Sequence, residues 1–263
     1  MENLEYQNYI FDLYGTLVDI RTNERKAYLW QKMSLYMCLQ GAAYAPEELR
    51  REYTRLTEEV RRNNQHALKN ALEIPQGSME LPESSLENVE SSLEEVIRQL
   101  YNKKERTALP ETIAAWALTF RTLSLEHLRL YEGAREMLEK LKSQEKHIYL
   151  LSNAQRLFTE PEMRFLDIYD LFDDVFYSSD VGFVKPSPHF YGALLQKHKL
   201  DTASSVMVGN DPEADAWGSF HMGLDSMYIH TAQSPQGNFS LPPNCRRLKN
   251  IGEAVSYSST LRL

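Results

Sequence analysis

Residues 8–24 read NYIFDLYGTLVDIRTNE, and they carry a carboxylate, Asp12, where an apolar strand should end. A charge in that place costs free energy unless something uses it. Asp12 can act there as a nucleophile, forming an aspartyl intermediate that water later hydrolyses; the plainer role is capping the next turn. Gly15 lets the backbone turn sharply, and Thr16 can orient Asp12 or donate to a bound anion. Two further runs end in the same manner: HIYLLSN at Ser152 and Asn153, and VMVGND at Gly209, Asn210 and Asp211. Ser152 offers a hydroxyl donor to an electronegative group or, alternatively, a helix N-cap. Asn153 stands evenly between function and capping. Asp211 and Asp215 form a carboxylate pair suited to a hard, oxygen-liganded Mg²⁺, although an N-terminal helix turn also favours acids through its dipole.

These residues need elements that bring them together. The runs near residues 10, 150, 208 and 228, with a weaker DDVFYSSDVG near 177, are short, apolar and β-rich. From the second onward they alternate with helix-like segments such as PHFYGALLQKHK, which predicts βαβ units and a parallel sheet. In such sheets ligands sit just beyond the carboxyl ends of the strands, where these polar residues fall. About 130 residues separate the first strand from the second, more than one crossover helix requires. Ile113, Trp116, Phe120 and Leu123 recur at helical spacing within that gap, PEELRREYTRLTEEVRRNNQHALKNAL also reads as helix, and no strand signal is evident. The expectation is an α/β, Rossmann-like core formed by 1–20 and 129–263, with an inserted helical cap domain over 21–128. EIPQGSMELPESS (73–85) reads as a loop, and the tail after His230 as irregular apart from a short helix at IGEAV. His189, Tyr191 and His221 are expected on helices as packing residues.

Composition narrows the function. The chain has 263 residues, 42% hydrophobic and 25% charged, as in ordinary globular proteins. A net charge of −8 argues against nucleic acid or an anionic membrane as partner. Only Cys38 and Cys245 are present, without a CxxC pair, so neither a disulfide framework nor a zinc site is expected. No signal peptide or membrane-spanning stretch is evident, and the expected location is cytoplasmic.

Together, FDLYGTL, LLSN, VGFVKPSPHFY and VGNDPEAD, in that order and each at a strand end, resemble the four motifs of the haloacid dehalogenase (HAD) superfamily of hydrolases. YEGAREMLEKLKSQEKHIYLLSN also matches that family's approach helix and second strand. The resemblance covers roughly 1–20 and 129–230. It implies a catalytic set of Asp12, Thr16, Ser152, Asn153 and Lys185, with Lys185 neutralising Asp12 and an anionic transition state. It further implies Mg²⁺ held among Asp12, Tyr14, Asn210, Asp211 and Asp215, and a small phosphorylated substrate.

Two positions depart from the family pattern. Tyr14 stands where family phosphatases carry a second aspartate that serves as general acid, so Tyr14 can lend a metal only its carbonyl; a phenol of ordinary pKa near 10 is a poor acid at neutral pH. Asn210 stands where the fourth motif begins with aspartate, so either its amide oxygen or Asp211 is the expected ligand. DxYGT also resembles the haloacid dehalogenases themselves, whose halide leaves without a proton. The clustered acids at 211–215 favour a cation-dependent phosphatase over that alternative, and neither Arg21 nor Arg25 is a clear match for a dehalogenase's carboxylate-binding arginine. A HAD-fold protein that binds a ligand or partner with little turnover is the third reading.

Overall fold

The computed structural model describes residues 4–72, 88–256 and 258–259; the loop expected at 73–85 lies outside them. The chain divides into two compact units: Met1–Ile20 with Leu128–Ala154 and Glu162–Leu263, and Arg21–His127 with Gln155–Pro161.

The first unit is built on a six-stranded sheet. Its strands are β2 (Asn8–Phe11), β5 (His147–Ser152), β6 (Asp174–Tyr177), β7 (Ser205–Gly209), β8 (Asp225–Ile229) and β9 (Cys245–Leu248), in the order β6-β5-β2-β7-β8-β9. Every pairing is parallel. β2, β7 and β8 are buried at every position, as strands covered on both faces must be, which is why they read as continuous apolar runs. Phe11 stands opposite both Leu150 and Val208 in register. Asp12, Ser152 and Asn210 therefore emerge together at the carboxyl ends of neighbouring strands. The helices α5 (Ala134–Ser143), α6 (Arg156–Phe165), α7 (Ser178–Val181), α8 (Pro188–His198) and α9 (Gly218–His221) fall between strands, and β1 (Leu4–Glu5) pairs with β10 (Ser258–Ser259).

The second unit is helical: α1 (Ala27–Leu39), α2 (Pro46–Leu72), α3 (Leu93–Asn102) and α4 (Pro110–Ser124). Pro46 with Glu47 and Glu48 starts α2, and Ser92 caps α3 by accepting from the Glu95 amide at 3.3 Å. Its core is aromatic. Trp116 stacks on Phe120 with ring centroids 5.1 Å apart, and Trp30 and Tyr53 close the cluster.

Two expectations need correction. The inserted segment is not free of strand: β3 (Val18–Thr22) and β4 (Leu125–Leu130) pair as a two-stranded sheet, and the chain leaves the first unit within β3 and returns within β4. LEHLRL contains no β-branched residue, so its extended conformation rests on pairing with a distant strand rather than on local preference. The tail after His230 is not wholly irregular either, because Cys245–Leu248 adds β9 to the sheet edge. Its two arginines, which hide it as a strand, suit an edge that must not pair further.

Candidate active site

The turn after β2 sets the first group. The Asp12 amide donates to the Val208 carbonyl at 3.0 Å, extending the pairing one residue past the strand, and its side chain is buried. The backbone then reverses through Gly15 at φ 87°, and a Cβ there would stand 2.4 Å from Asn210 Nδ2. Only glycine fits the bend and the close approach together. Thr16, fully buried, has one hydroxyl proton within reach of two acceptors, Asp12 Oδ2 at 2.9 Å and Asn210 Oδ1 at 3.1 Å.

Lys185 supplies the cation. Its ammonium, 4% exposed, donates to Asp12 Oδ1 at 2.8 Å and to Asp215 Oδ1 at 2.7 Å. Burial pulls the Lys185 pKa down, but the two carboxylates more than offset that and hold it above the ordinary lysine value. Asp215 is pushed up to about 7, chiefly by burial, against the pull of Lys185. Asn153 clasps the backbone of this lysine, accepting from the Lys185 amide at 2.7 Å and donating to the Lys185 carbonyl at 3.1 Å. It is thereby a positioning residue for Lys185, a role intermediate between the two that the sequence left open.

The segment after β7 places the acids. Gly209 lets Asp215 fold back on the strand end, since a Cβ at 209 would meet Asp215 Oδ2 at 2.1 Å. Asp215 Oδ2 accepts from the Asp211 amide at 2.9 Å. Asp211 caps the π-helical turn Pro212–Trp217, its Oδ1 accepting from the Glu213 and Ala214 amides, both at 2.9 Å. Tyr191, buried, braces the same turn by donating to the Ala214 carbonyl at 2.7 Å. His189 stacks on Phe183 and His221 touches Trp217 and Phe220.

Asp12, Tyr14, Ser152, Asn153, Lys185, Asn210, Asp211 and Asp215 line one cavity of about 230 Å³. Thr16 lies behind that lining, within reach of Asp12 and Asn210. Arg21 instead pairs with Glu126 at 2.9 Å in the helical unit, and neither it nor Arg25 lines the cavity. Sequence reasoning missed three contributors. Glu162 on α6 accepts the Tyr14 hydroxyl. Thr231 donates to the Gly15 carbonyl at 2.8 Å, and Gln233 lines the cavity while donating to Asp19 Oδ1 at 3.0 Å. The Tyr14–Glu162 pair is 148 residues apart in the chain, and no local pattern signals it.

Among the described residues no group of three or more His, Cys, Asp or Glu is arranged to hold a metal. The donors at the cavity still fit Mg²⁺: they are hard oxygens, and three carboxylates there face one ammonium. Mg²⁺ commonly takes one or two carboxylates and completes its shell with water and substrate phosphate, rather than a cage made of protein.

A profile described as haloacid dehalogenase-like hydrolase matches residues 6–222. Glyceraldehyde 3-phosphate phosphatase of Methanothermobacter thermautotrophicus is 27% identical over 122 residues, 46% of this chain and 54% of that protein. Ribulose-1,5-bisphosphate 5-phosphatase of Halopiger xanaduensis is 30% identical over 141 residues, 52% of this chain and 59% of that one. The chain thus spans little more than half the length of these relatives. In fold it is similar to a HAD phosphatase from Thermococcus onnurineus, with a TM-score of 0.55 at 14% identity over 95% of this chain and 96% of that one. With its family's profile covering most of its length and its fold shared with a HAD enzyme, the chain belongs to the haloacid dehalogenase-like hydrolases.

Proposed function

We propose that this hydrolase is a Mg²⁺-dependent phosphatase of a small phosphorylated metabolite, working through an aspartyl-phosphate on Asp12, with the helical unit as its cap domain. The observation that carries the reading is the buried Lys185 ammonium held between Asp12 and Asp215, with Ser152 on the same cavity. That arrangement suits an anionic group transferred to a carboxylate. The names of the two relatives add support for a phosphorylated substrate.

In this reading an Asp12 oxygen attacks phosphorus, and the bond from phosphorus to the leaving oxygen breaks with its electron pair going to that oxygen. Thr16 holds the carboxylate in line. Lys185, fixed by Asn153, and the Ser152 hydroxyl stabilise charge on the phosphoryl oxygens. Water then attacks phosphorus, releasing phosphate and restoring the Asp12 carboxylate. Mg²⁺, bound by Asp12, the Tyr14 carbonyl and Asn210 or Asp211, would supply further neutralisation of the phosphoryl group.

Rapid acid quenching during turnover of a phosphate ester tests the intermediate. A hydroxylamine-sensitive phosphoenzyme is expected in the wild type and none in Asp12→Asn; turnover that survives in Asp12→Asn overturns the assignment. One observation favours a second reading, hydrolytic dehalogenation: no carboxylic acid occupies the Tyr14 position, and a halide needs none. Halide release from short halo-acids that persists after Mg²⁺ is chelated would establish it in place of phosphatase chemistry.

A further inference from the structure

Gln233 lines the Asp12 cavity together with Pro235, yet it takes no part in the steps proposed above. It stands on the turn that follows β8, at the same end of the sheet as Asp12 and Asn210. Hydrogen bonds within that turn fix its backbone. The Thr231 amide donates to Ser234 Oγ at 3.0 Å, the Ser234 amide to the Thr231 carbonyl at 3.1 Å, and the Gln233 amide to Thr231 Oγ1 at 3.3 Å. The Thr231 hydroxyl gives its own proton to the Gly15 carbonyl, which ties the turn to the loop behind Asp12.

The side chain is oriented as well. Gln233 Nε2 donates to Asp19 Oδ1 at 3.0 Å and stands 3.5 Å from the Tyr131 hydroxyl. The other Asp19 oxygen accepts from Arg129 Nε and Nη2 at 2.9 and 2.8 Å. An ionised carboxylate only accepts, so Asp19 holds the NH₂ end of the amide toward itself. The remaining end, Gln233 Oε1, meets no donor among the described residues, on a half-buried side chain of the cavity wall. An amide oxygen accepts and cannot donate. It does not suit the phosphoryl group, whose oxygens are acceptors too and find their donors in Lys185 and Ser152. It suits the rest of a substrate. A hydroxyl there satisfies Oε1, a methyl group displaces water from it without replacement, and a carboxylate sets acceptor against acceptor.

We propose that Gln233 selects the substrate: its amide oxygen accepts from a hydroxyl on the leaving part of a phosphate ester. The enzyme then prefers hydroxylated esters, such as polyol or sugar phosphates, to alkyl or carboxylated esters of similar size. Asp19 is the positioning residue that aims the amide. This inference rests on the phosphatase reading.

Full-chain wild type, Gln233→Met and Asp19→Ala, each checked for folding by its melting temperature, are compared at saturating Mg²⁺. The probes are 2-hydroxyethyl phosphate, its isostere propyl phosphate, and carboxymethyl phosphate. Each is followed by kcat/KM and, where turnover is slow, by its inhibition constant against p-nitrophenyl phosphate. The quantity read is the preference for 2-hydroxyethyl over propyl phosphate, in which losses common to both esters cancel. Gln233→Met should lower that preference about tenfold, chiefly through the KM or inhibition constant of the hydroxylated ester. Asp19→Ala, which lets the amide turn, should lower it in the same direction. In the wild type, carboxymethyl phosphate should rank below 2-hydroxyethyl phosphate. A merely structural role for Gln233 would weaken both esters alike. A preference unchanged in both variants therefore overturns the inference alone, as does a wild type that favours propyl or carboxymethyl phosphate while hydrolysing p-nitrophenyl phosphate. A wild type that does not hydrolyse p-nitrophenyl phosphate overturns the phosphatase reading and this inference with it.

Discussion

In the proposed phosphatase, Tyr14 would occupy the place of a general acid, and its hydroxyl donates to Glu162. Its proton is thus committed to a carboxylate rather than offered to a leaving group. A phosphatase lacking a positioned acid should prefer substrates that leave as stable anions, so aryl and acyl phosphates should be cleaved much faster than alkyl phosphates. Tyr14→Phe keeps the ring and removes the hydroxyl. It is expected to leave the aryl-to-alkyl rate ratio unchanged while lowering stability by about 1–3 kcal/mol, because the buried Glu162 loses a donor. A fall in alkyl turnover alone would show that the phenol does deliver a proton. Tyr14→Asp makes the converse test: at saturating Mg²⁺, which offsets repulsion from Asp12, alkyl-phosphate turnover should rise and aryl turnover should hardly change. A positioned acid contributes typically about 10²–10⁴-fold, and most where the leaving group is poor. Wild-type rates that are already similar for both substrate classes would contradict this account of Tyr14.

At the scale of elements, the segment after β7 both caps a helix and presents oxygens to the cavity. Asp211→Ala removes the cap from the Glu213 and Ala214 amides and should cost about 1 kcal/mol in denaturant unfolding. Asp211 keeps a second carboxylate oxygen, whereas the single amide oxygen of Asn210 lies 3.1 Å from the Thr16 hydroxyl, so Asp211→Ala should weaken Mg²⁺ binding more than Asn210→Ala does, as measured by titration calorimetry; the reverse order would make Asn210 the ligand. At the start of β6, burial raises the Asp174 carboxyl, but Lys197 at 2.6 Å, His198 at 2.7 Å and the Val175 amide outweigh it and hold the pKa below the ordinary 3.8. A carboxyl depressed in the folded state contributes stability that is complete above its unfolded pKa and is lost as pH falls through the folded value. Asp174→Asn should therefore flatten the loss of stability on acidification below about pH 4. A melting temperature that falls equally steeply in wild type and variant would show that the pair contributes nothing. The same elements explain what was legible beforehand. β2, β5, β7 and β8 announce themselves because burial on both faces leaves continuous apolar runs; Asp12 and Asn210 directly follow such runs and Ser152 closes one, whereas Lys185 lies eight residues past Tyr177 of the weaker β6. β4, β9 and Glu162 were not legible, because each takes its role from a partner far along the chain and leaves no periodicity of its own.

Over the whole molecule, each unit has its own apolar core, one around β2, β5 and β7 and one around Trp116 and its neighbours. Trp116→Ala should cost about 3–5 kcal/mol. Amide exchange should accelerate first over residues 27–72 and 88–124, while the sheet strands keep their protection; uniform acceleration across both units would mean that their stabilities are fused. The insertion that separates the cores also has a consequence during synthesis. β2 is fully buried between β5 and β7, yet its nearer partner along the chain begins only at His147, about 136 residues after Phe11. At roughly 5–20 residues per second, the nascent strand waits about 7–27 s at the ribosome for the first segment it can pair with. During that interval Tyr9, Ile10 and Phe11 have no sheet to enter, so a ribosome-bound chaperone that shields short apolar segments should raise the yield of active protein more than one acting after release.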